Sequence, residues 1–228
     1  MVSGYFITGT DTGCGKTLVT LGLMQRLQLA GLRVAGMKPV ASGAARVAGE
    51  LRNDDATQIQ TQSSGDADYG LVNPYVFEPA IAPHLAARQS GREIEIAEIE
   101  ACYRKLAVGA DRLLVEGVGG WLVPLSDDCL LSDLAVRLRL PVIMVVGMRL
   151  GCINHSLLTQ DGINGSGCHL IGWVANRIDP GMSSFDDNIA TLQQRIAAPL
   201  LGVLPHLDRP DPLRVVKHLQ LPASEFIR

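Results

Sequence analysis

Residues 9 to 17 of this 228-residue chain read GTDTGCGKT, between a short apolar run and a long amphipathic one. The segment approximates the phosphate-binding pattern G-x-x-x-x-G-K-[ST], in which backbone N–H groups wrap phosphates at the start of a helix. Gly15, Lys16 and Thr17 fit, but the leading glycine is Gly9, one residue early, and Thr10 takes its place. An ordinary glycine-rich turn is the alternative, and the GKT at the predicted helix start favours the phosphate site.

Outward from this loop, short runs rich in Val, Ile and Leu recur along the chain, as strands buried on both faces require. The predicted strands span residues 5–8, 33–37, 112–115, 141–146, 170–175 and 200–204. Helical patterns separate them, over residues 16–30, 97–108, 131–139 and 185–196. The alternation predicts an α/β fold of the P-loop NTPase kind, with a mostly parallel sheet and helices on both faces. We expect one domain over residues 1–228, in which residues 41–92 form an inserted helical segment over the active face.

Composition excludes several classes of protein. Hydrophobic residues make up 47% and charged residues 19%, which excludes a largely disordered chain. Lys plus Arg is 20 and Asp plus Glu is 23, a net charge of −3, so the bulk positive field of a nucleic-acid binder is absent. The five cysteines show no C-x-x-C spacing, the longest apolar run is about half the ~20 residues of a membrane span, and no signal peptide is visible. We expect a cytoplasmic protein with no membrane or nucleic-acid partner.

A phosphate site of this kind requires Mg²⁺ ligands nearby. In this role Lys16 would reach the β- and γ-phosphates, and the Thr17 hydroxyl would bind the metal. Glu116 follows Leu113-Leu114-Val115, as an acidic residue does at the end of a Walker-B-type strand, although a solvated glutamate is the alternative. Asp54 and Asp55 open a predicted helix, where a helix cap and a metal ligand are equally plausible.

Two other motifs weigh on the class of enzyme. No G-x-G-x-x-G pattern survives after a predicted strand, so a Rossmann dehydrogenase is not expected. The segment Asn176-Arg177-Ile178-Asp179 approximates the Asn-Lys-x-Asp with which GTPases read guanine, but the arginine weakens that interpretation and Asn176 could equally serve adenine.

Eight stretches, in order along nearly the whole chain, resemble the ATP-dependent dethiobiotin synthetases of the biotin pathway. They are YFITGTDTGCGKT (5–17), GMKPVASG (36–43), LRNDDA (51–56), NPYVFEPAIAPH (73–84), LLVEGVGGWLVPLSDD (113–128), PVIMVVGMRLGCINH (141–155), LIGWVANRI (170–178) and APLLGVLPHL (198–207). The resemblance implies that the chain closes a cyclic urea from 7,8-diaminononanoate, CO₂ or bicarbonate, and ATP. A carbamate forms first, the γ-phosphoryl group is transferred to it, and the second amine attacks with loss of phosphate.

The resemblance also implies roles for individual residues. The residues implied to be catalytic are Lys38, Lys16 and Thr12. Those implied to bind the nucleotide are Gly13, Cys14, Gly15, Lys16, Thr17, Leu18, Asp55, Glu116, Gly117, Val118, Gly119, Asn176, Arg177, Pro205, His206 and Leu207. Those implied to hold Mg²⁺ are Thr17, Asp55 and Glu116. Those implied to bind the diamine or its carbamate are Thr12, Lys38 and Ser42. Those implied to bind the substrate carboxylate, at the start of a helix from the second subunit of a homodimer with shared active sites, are Gly151, Cys152, Ile153 and Asn154.

The chain departs from the family pattern at a few positions. Gly13-Cys14 stands where Glu-Val is common, and Asn188 where a Tyr often holds the tail of the diamine. Positive partial charge in a phosphate loop lowers a thiol pKa, so we predict that Cys14 is reactive and that its alkylation inactivates the enzyme unless ATP is bound. Two other functions remain open: a nucleotide-switch ATPase or GTPase of the partitioning type, and a small-molecule kinase with an arginine-bearing lid in residues 41–92.

Overall fold

The computed structural model describes residues 3–207 and 211–223. The strands in this part of the chain are β1 (Ser3–Gly9), β2 (Val34–Met37), β3 (Val40–Ser42), β4 (Ala45–Val47), β5 (Glu50–Arg52), β6 (Tyr75–Phe77), β7 (Arg112–Glu116), β8 (Val142–Gly147), β9 (Leu170–Asn176) and β10 (Leu200–Leu204). Six of them form the main sheet in the order β10-β9-β8-β1-β7-β2, and every neighbouring pair is parallel. The predicted fold class is therefore confirmed.

Helices connect and cover these strands. They are α1 (Lys16–Leu29), α2 (Asp54–Gln62), α3 (Tyr69–Val72), α4 (Pro83–Gln89), α5 (Ile96–Leu106), α6 (Leu131–Leu138), α7 (Cys152–Gly165), α8 (Phe185–Arg195) and α9 (Pro212–Val215), followed by a 3₁₀ turn at Val216–His218. Every residue of β8 is buried, because a central parallel strand is covered on both of its faces. Buried aliphatic side chains from the sheet and the helices form one hydrophobic core.

The six predicted strands and four predicted helices all form, with ends that differ by one or two residues. Residues 41–92 are different, because the expected helical segment was only partly correct. This stretch contains helices α2 to α4 together with strands that build two small two-stranded sheets, β3 with β6 and β4 with β5. Three-residue strands bury too few side chains to show an apolar periodicity, so the sequence pattern could not reveal them.

The parallel arrangement determines where the functional groups lie. All six strands of the main sheet run in one direction, so the loops that follow them lie at one edge. The phosphate loop follows β1, Lys38 follows β2, and Glu116 is the last residue of β7. Because β1 pairs with β7 and β7 pairs with β2, these three elements are neighbours.

Candidate active site

The loop between β1 and α1 has the strand–loop–helix geometry that the motif predicts. Gly13 and Gly15 adopt left-handed conformations, with φ of 77° and 94°, and Gly15 precedes the first residue of α1. A Cβ at Gly9 would lie 2.3 Å from Cys14 Sγ and 3.1 Å from Lys16 Cγ. Position 9 therefore has no room for a side chain, because Cys14 Sγ occupies the space beside it.

Lys16 is buried at the start of α1 and is held by backbone oxygens. Its ammonium group donates hydrogen bonds to Asp11 O at 2.8 Å and to Gly119 O at 2.6 Å. Burial lowers the pKa of Lys16 below its ordinary value of 10.5. Since carbonyl oxygens carry no net charge, an incoming phosphate would meet a cation whose charge is only weakly compensated.

Lys38 lies in a cluster with two carboxylates. Lys38 Nζ is 2.5 Å from Glu116 Oε1, 3.2 Å from Asp55 Oδ2 and 3.5 Å from Gly117 O. Burial alone would lower the pKa of Lys38, but the charges of Glu116 and Asp55 outweigh it and the pKa is raised. The prediction of a lysine at the end of the second strand is confirmed in its position, and the lysine is enclosed rather than extended into solvent.

The same carboxylates present the oxygen atoms that a magnesium ion prefers. Thr17 Oγ1 donates to Glu116 Oε1 at 2.9 Å, so the predicted hydroxyl and carboxylate are adjacent. Glu116 Oε2 is buried and has no hydrogen-bond partner among the described residues. The choice left open at the start of α2 is also answered: Asn53 is the cap, because its side chain accepts from Ala56 N, and Asp55 is directed to Lys38. Thr17, Glu116 and Asp55 therefore fit a hard, oxygen-seeking cation.

A cavity of about 820 Å³ opens beside these groups. The predicted site residues that line it are Thr12, Gly13, Gly15, Lys16, Thr17, Leu18, Lys38, Ser42, Asp55, Glu116, Val118 and Gly119. An apolar part of the lining, which no sequence motif indicated, is formed by Ala41, Ala80, Ile81, Ala82, Pro83, Leu122, Val123 and Pro124. Ala41, residues 80–83 and residues 122–124 are distant in sequence and show no periodic pattern, so only the folded chain shows that they share a wall.

The predicted adenine contacts lie at the same edge of the sheet but not in the lining of this cavity. Asn176 Nδ2 donates to Cys14 O at 2.9 Å, and a Cβ at Gly15 would lie 2.0 Å from that nitrogen. The Arg177 guanidinium lies 4.7 Å from the centre of the Phe185 ring, and His206 Nδ1 is 3.2 Å from Arg177 O. Pro205, His206 and Leu207 follow β10. Asn176 therefore stabilises the phosphate loop through its hydrogen bond to Cys14 O, a contact that the motif did not predict.

The predicted carboxylate-binding segment lies at the start of α7, away from the cavity lining. Gly151 is exposed with φ of 94°, Cys152 is buried, Ile153 is half-buried and Asn154 is exposed. Leu150, directly before them, is 96% exposed. In this chain the segment does not line the cavity that contains Lys38.

The prediction of a reactive Cys14 was wrong. Its side chain is 0% exposed, and burial raises the pKa of the thiol although Lys16 Nζ lies 3.9 Å away. Desolvation of a thiolate outweighs the favourable charge of the loop here. Alkylation of the folded protein at Cys14, with protection by ATP, is therefore no longer expected.

The kinase alternative rested on the four arginines in residues 41–92. In the structure these arginines contact other side chains instead of the cavity. Arg52 lies 4.0 Å from the centre of the Tyr69 ring and Arg92 lies 4.9 Å from that of Tyr75, while Arg88 pairs with Asp127 at 2.6 Å. Arg46 is 3.7 Å from Glu78. None of the four lines the cavity.

Over residues 3–207 and 211–223, no helix is long and apolar enough to cross a bilayer.

A parallel sheet with a glycine-rich loop leading into a GKT helix defines the class of P-loop nucleotide-binding proteins. Comparison with known proteins agrees with this class. The family described as "AAA domain" matches residues 3–213. The structure resembles that of the septum site-determining protein MinD from Pyrococcus horikoshii, solved with Mg-ADP, with a TM-score of 0.56, 18% identity, and coverage of 100% of this chain and 89% of that one. At this identity the likeness shows the fold alone.

Sequence relatives identify the family within that class. The chain is 50% identical over 218 residues to "ATP-dependent dethiobiotin synthetase BioD" of Aromatoleum aromaticum, covering 96% of this chain and 97% of the relative. It is 45% identical over 222 residues to "ATP-dependent dethiobiotin synthetase BioD 1" of Escherichia coli K12, covering 97% and 99%. The chain belongs to the dethiobiotin synthetase family and is an ATP-dependent ligase. This assignment takes precedence over the partitioning-ATPase and kinase alternatives.

Proposed function

We propose that this chain closes the ureido ring of dethiobiotin from 7,8-diaminononanoate, CO₂ and ATP. The observation that carries the proposal is the pair of buried lysines, Lys16 and Lys38, at one cavity beside two carboxylates. A carbamate and a transferring phosphoryl group are both anionic, so two fixed cations lower the barrier by stabilising the charge that develops between them. The similarity to dethiobiotin synthetases supports this reaction.

In the proposed reaction Lys16 and the N-terminal N–H groups of α1 hold the β- and γ-phosphates of ATP. Lys38, with Thr12 and Ser42, holds the carbamate so that its oxygen faces the γ-phosphorus. Transfer forms a P–O bond to the carbamate and breaks the bond to ADP. The second amine then attacks the carbamate carbon. A C–N bond forms, the C–O bond to the phosphoryl group breaks, and inorganic phosphate leaves as the amine releases a proton to solvent. Positioning and charge neutralisation supply most of the acceleration, because the protein forms no covalent bond to the substrate.

Thr17, Asp55 and Glu116 would hold Mg²⁺, which neutralises charge on the nucleotide when it is bound. Gly13 to Leu18 and Glu116 to Gly119 would line the phosphates. Asn176 and Arg177, with Pro205, His206 and Leu207, would lie at the adenine. The apolar wall, which includes Ile81 and Leu122, supports an alkyl substrate, because it offers the methylene chain of the diamine a surface away from water.

The experiment that tests the reaction measures phosphate release with Mg²⁺ and bicarbonate, in the presence and absence of 7,8-diaminononanoate, for each nucleoside triphosphate. We expect release that depends on the diamine, equals the ureido product formed, and is lost in Lys38→Ala. Lys105→Ala is the matched control, because this lysine is exposed on α5. Release that ignores the diamine would assign the chain a nucleotide-switch activity instead.

The proposal includes a cytoplasmic homodimer in which Gly151 to Asn154 of one subunit bind the substrate carboxylate held by the other. The exposed Leu150, directly before α7, and the exposed Leu158, in the middle of that helix, support a protein contact on this side of the chain. Mixing inactive Lys38→Ala with inactive Asn154→Asp subunits tests it, because a heterodimer with shared sites carries one intact site. We expect activity to return on mixing, and two variants that remain inactive together would contradict the shared site.

A further inference from the structure

Asp11 is an unexplained charge in the phosphate loop. Its backbone oxygen accepts from Lys16 Nζ at 2.8 Å, so the residue helps to orient the lysine that would meet the phosphates. Its side chain is 22% exposed, and Oδ1 is buried without a hydrogen-bond partner in the described part of the chain. A carboxylate at this place opposes the binding of a polyanion, because like charges repel strongly where water is scarce.

Arg149 supplies the opposite charge from a different part of the chain. Its Nη2 pairs with Asp11 Oδ2. Arg149 lies two residues after the last residue of β8, and its backbone oxygen accepts from Cys152 N at 3.0 Å, so the first turn of α7 holds it. The end of β8 also packs against the phosphate loop, since a Cβ at Gly147 would lie 3.1 Å from Cys14 Cα. Arg149 does not line the cavity.

We propose that Arg149 is a positioning residue of the nucleotide site: it fixes Asp11 in the orientation that presents its carbonyl to Lys16, and it cancels the carboxylate charge that would otherwise repel the nucleotide phosphates. The inference rests on the nucleotide site of the proposed function, but not on the diamine or on ring closure. Arg149, in the loop after β8, would therefore affect ATP binding through Asp11 and without contact to the ligand.

Equilibrium binding of a non-hydrolysable ATP analogue, in the absence of diamine, tests the proposal. We expect Arg149→Ala to weaken binding about tenfold, which corresponds to about 1.4 kcal/mol. Arg149→Lys keeps the charge and should bind within about threefold of the wild type. The double variant Asp11→Asn/Arg149→Ala removes both charges and should recover affinity to within about threefold. Arg33→Ala, which breaks the ion pair with Asp111, is the matched control and should leave binding unchanged.

Two further readouts separate positioning from a general loss of structure. The deficit of Arg149→Ala should shrink as salt is added, because salt screens the uncompensated charge of Asp11. In steady-state assays the KM for ATP should rise while kcat changes little. Arg149→Ala binding as tightly as the wild type would overturn the proposal. A deficit that Asp11→Asn does not relieve would also overturn it, because Arg149 would then act on the ligand directly. Diamine-independent phosphate release with the rescue intact would reject only the proposed reaction.

Discussion

Lys16 and Lys38 face one cavity, are both buried, and are held in opposite ways. Lys16 donates to the backbone oxygens of Asp11 and Gly119, whereas Lys38 lies between the carboxylates of Glu116 and Asp55. Burial therefore lowers the pKa of Lys16, while the two carboxylates raise that of Lys38. The difference teaches that a buried lysine can be held by uncharged carbonyl oxygens, which leave its charge uncompensated, or between carboxylates, which balance its charge before a ligand binds.

The largest expected effect concerns Lys38, which lies between carboxylates. Lys38→Met leaves Glu116, which is 0% exposed, without its counter-charge, and we expect a loss of about 3–5 kcal/mol in the free energy of unfolding. Lys38→Met/Glu116→Gln should recover most of this loss, because the remaining amide carries no charge. Chemical denaturation of the three proteins measures it. Equal stability of Lys38→Met and the wild type would show that the pair contributes nothing to folding.

The second prediction concerns Lys16, which is held by carbonyl oxygens. Lys16→Met should lower the affinity for the ATP analogue about a hundredfold, or about 2.7 kcal/mol, because it removes the cation that the phosphates meet. Its cost to the free energy of unfolding should be smaller than that of Lys38→Met, since the carbonyl oxygens and the Cys14 thiol that lose a partner carry no net charge. Calorimetric titration and denaturation of the same two samples test both parts. The comparison fails if Lys38→Met weakens nucleotide binding more than Lys16→Met does.

The third prediction concerns the packing that places Lys16. Gly9→Ala puts a Cβ 2.3 Å from Cys14 Sγ, and we expect it to destabilise the fold by about 1–3 kcal/mol and to weaken nucleotide binding. Adding Cys14→Ala removes the atom that clashes and should recover part of both losses. Thermal unfolding and nucleotide titration of the single and double variants measure the coupling. Purely additive losses would mean that the two side chains do not compete for this space.

The smallest expected effect is on pH dependence. The pKa of Lys16 is lowered from 10.5 and that of Lys38 is raised, so a rise in pH deprotonates Lys16 first. Nucleotide affinity should therefore begin to fall below pH 10.5, whereas the stabilisation from the Lys38 pair is present there and is lost only above it. Lys16→Arg should move the loss of affinity to higher pH, because arginine stays charged. An unshifted profile in that variant would assign the loss to another group.

Much of the fold and part of the site follow from the chain alone. The apolar runs and the glycine-rich loop predicted six parallel strands and the helix that begins at Lys16, and the structure has them. The same pattern placed Glu116 at a strand end beside Thr17, because side chains that follow neighbouring parallel strands meet at one edge. Local signals of this kind survive because burial on both faces and the conformational needs of a phosphate loop restrict the residues at each position.

What the pattern could not predict depends on desolvation and on contacts distant in sequence. The reactivity of Cys14 was predicted in the wrong direction, because the positive field of a loop can be inferred from sequence but the burial of a thiol cannot. Likewise, Asn53 rather than an aspartate caps α2, and this frees Asp55 for Lys38. Residues 45–52 form a hairpin whose three-residue strands are too short to give a recognisable sequence pattern.

The sequence by itself determined the class of fold, the family and the presence of two lysines that handle anions. Its local patterns and its identity with relatives carry that much. Only the tertiary structure decided how each lysine is charged and what holds it: Lys16 against carbonyls, Lys38 between carboxylates, and Asp11 against an arginine 138 residues away. The physical reason is that a charge in a protein is governed by its burial and its neighbours, and both are created only when distant segments pack together.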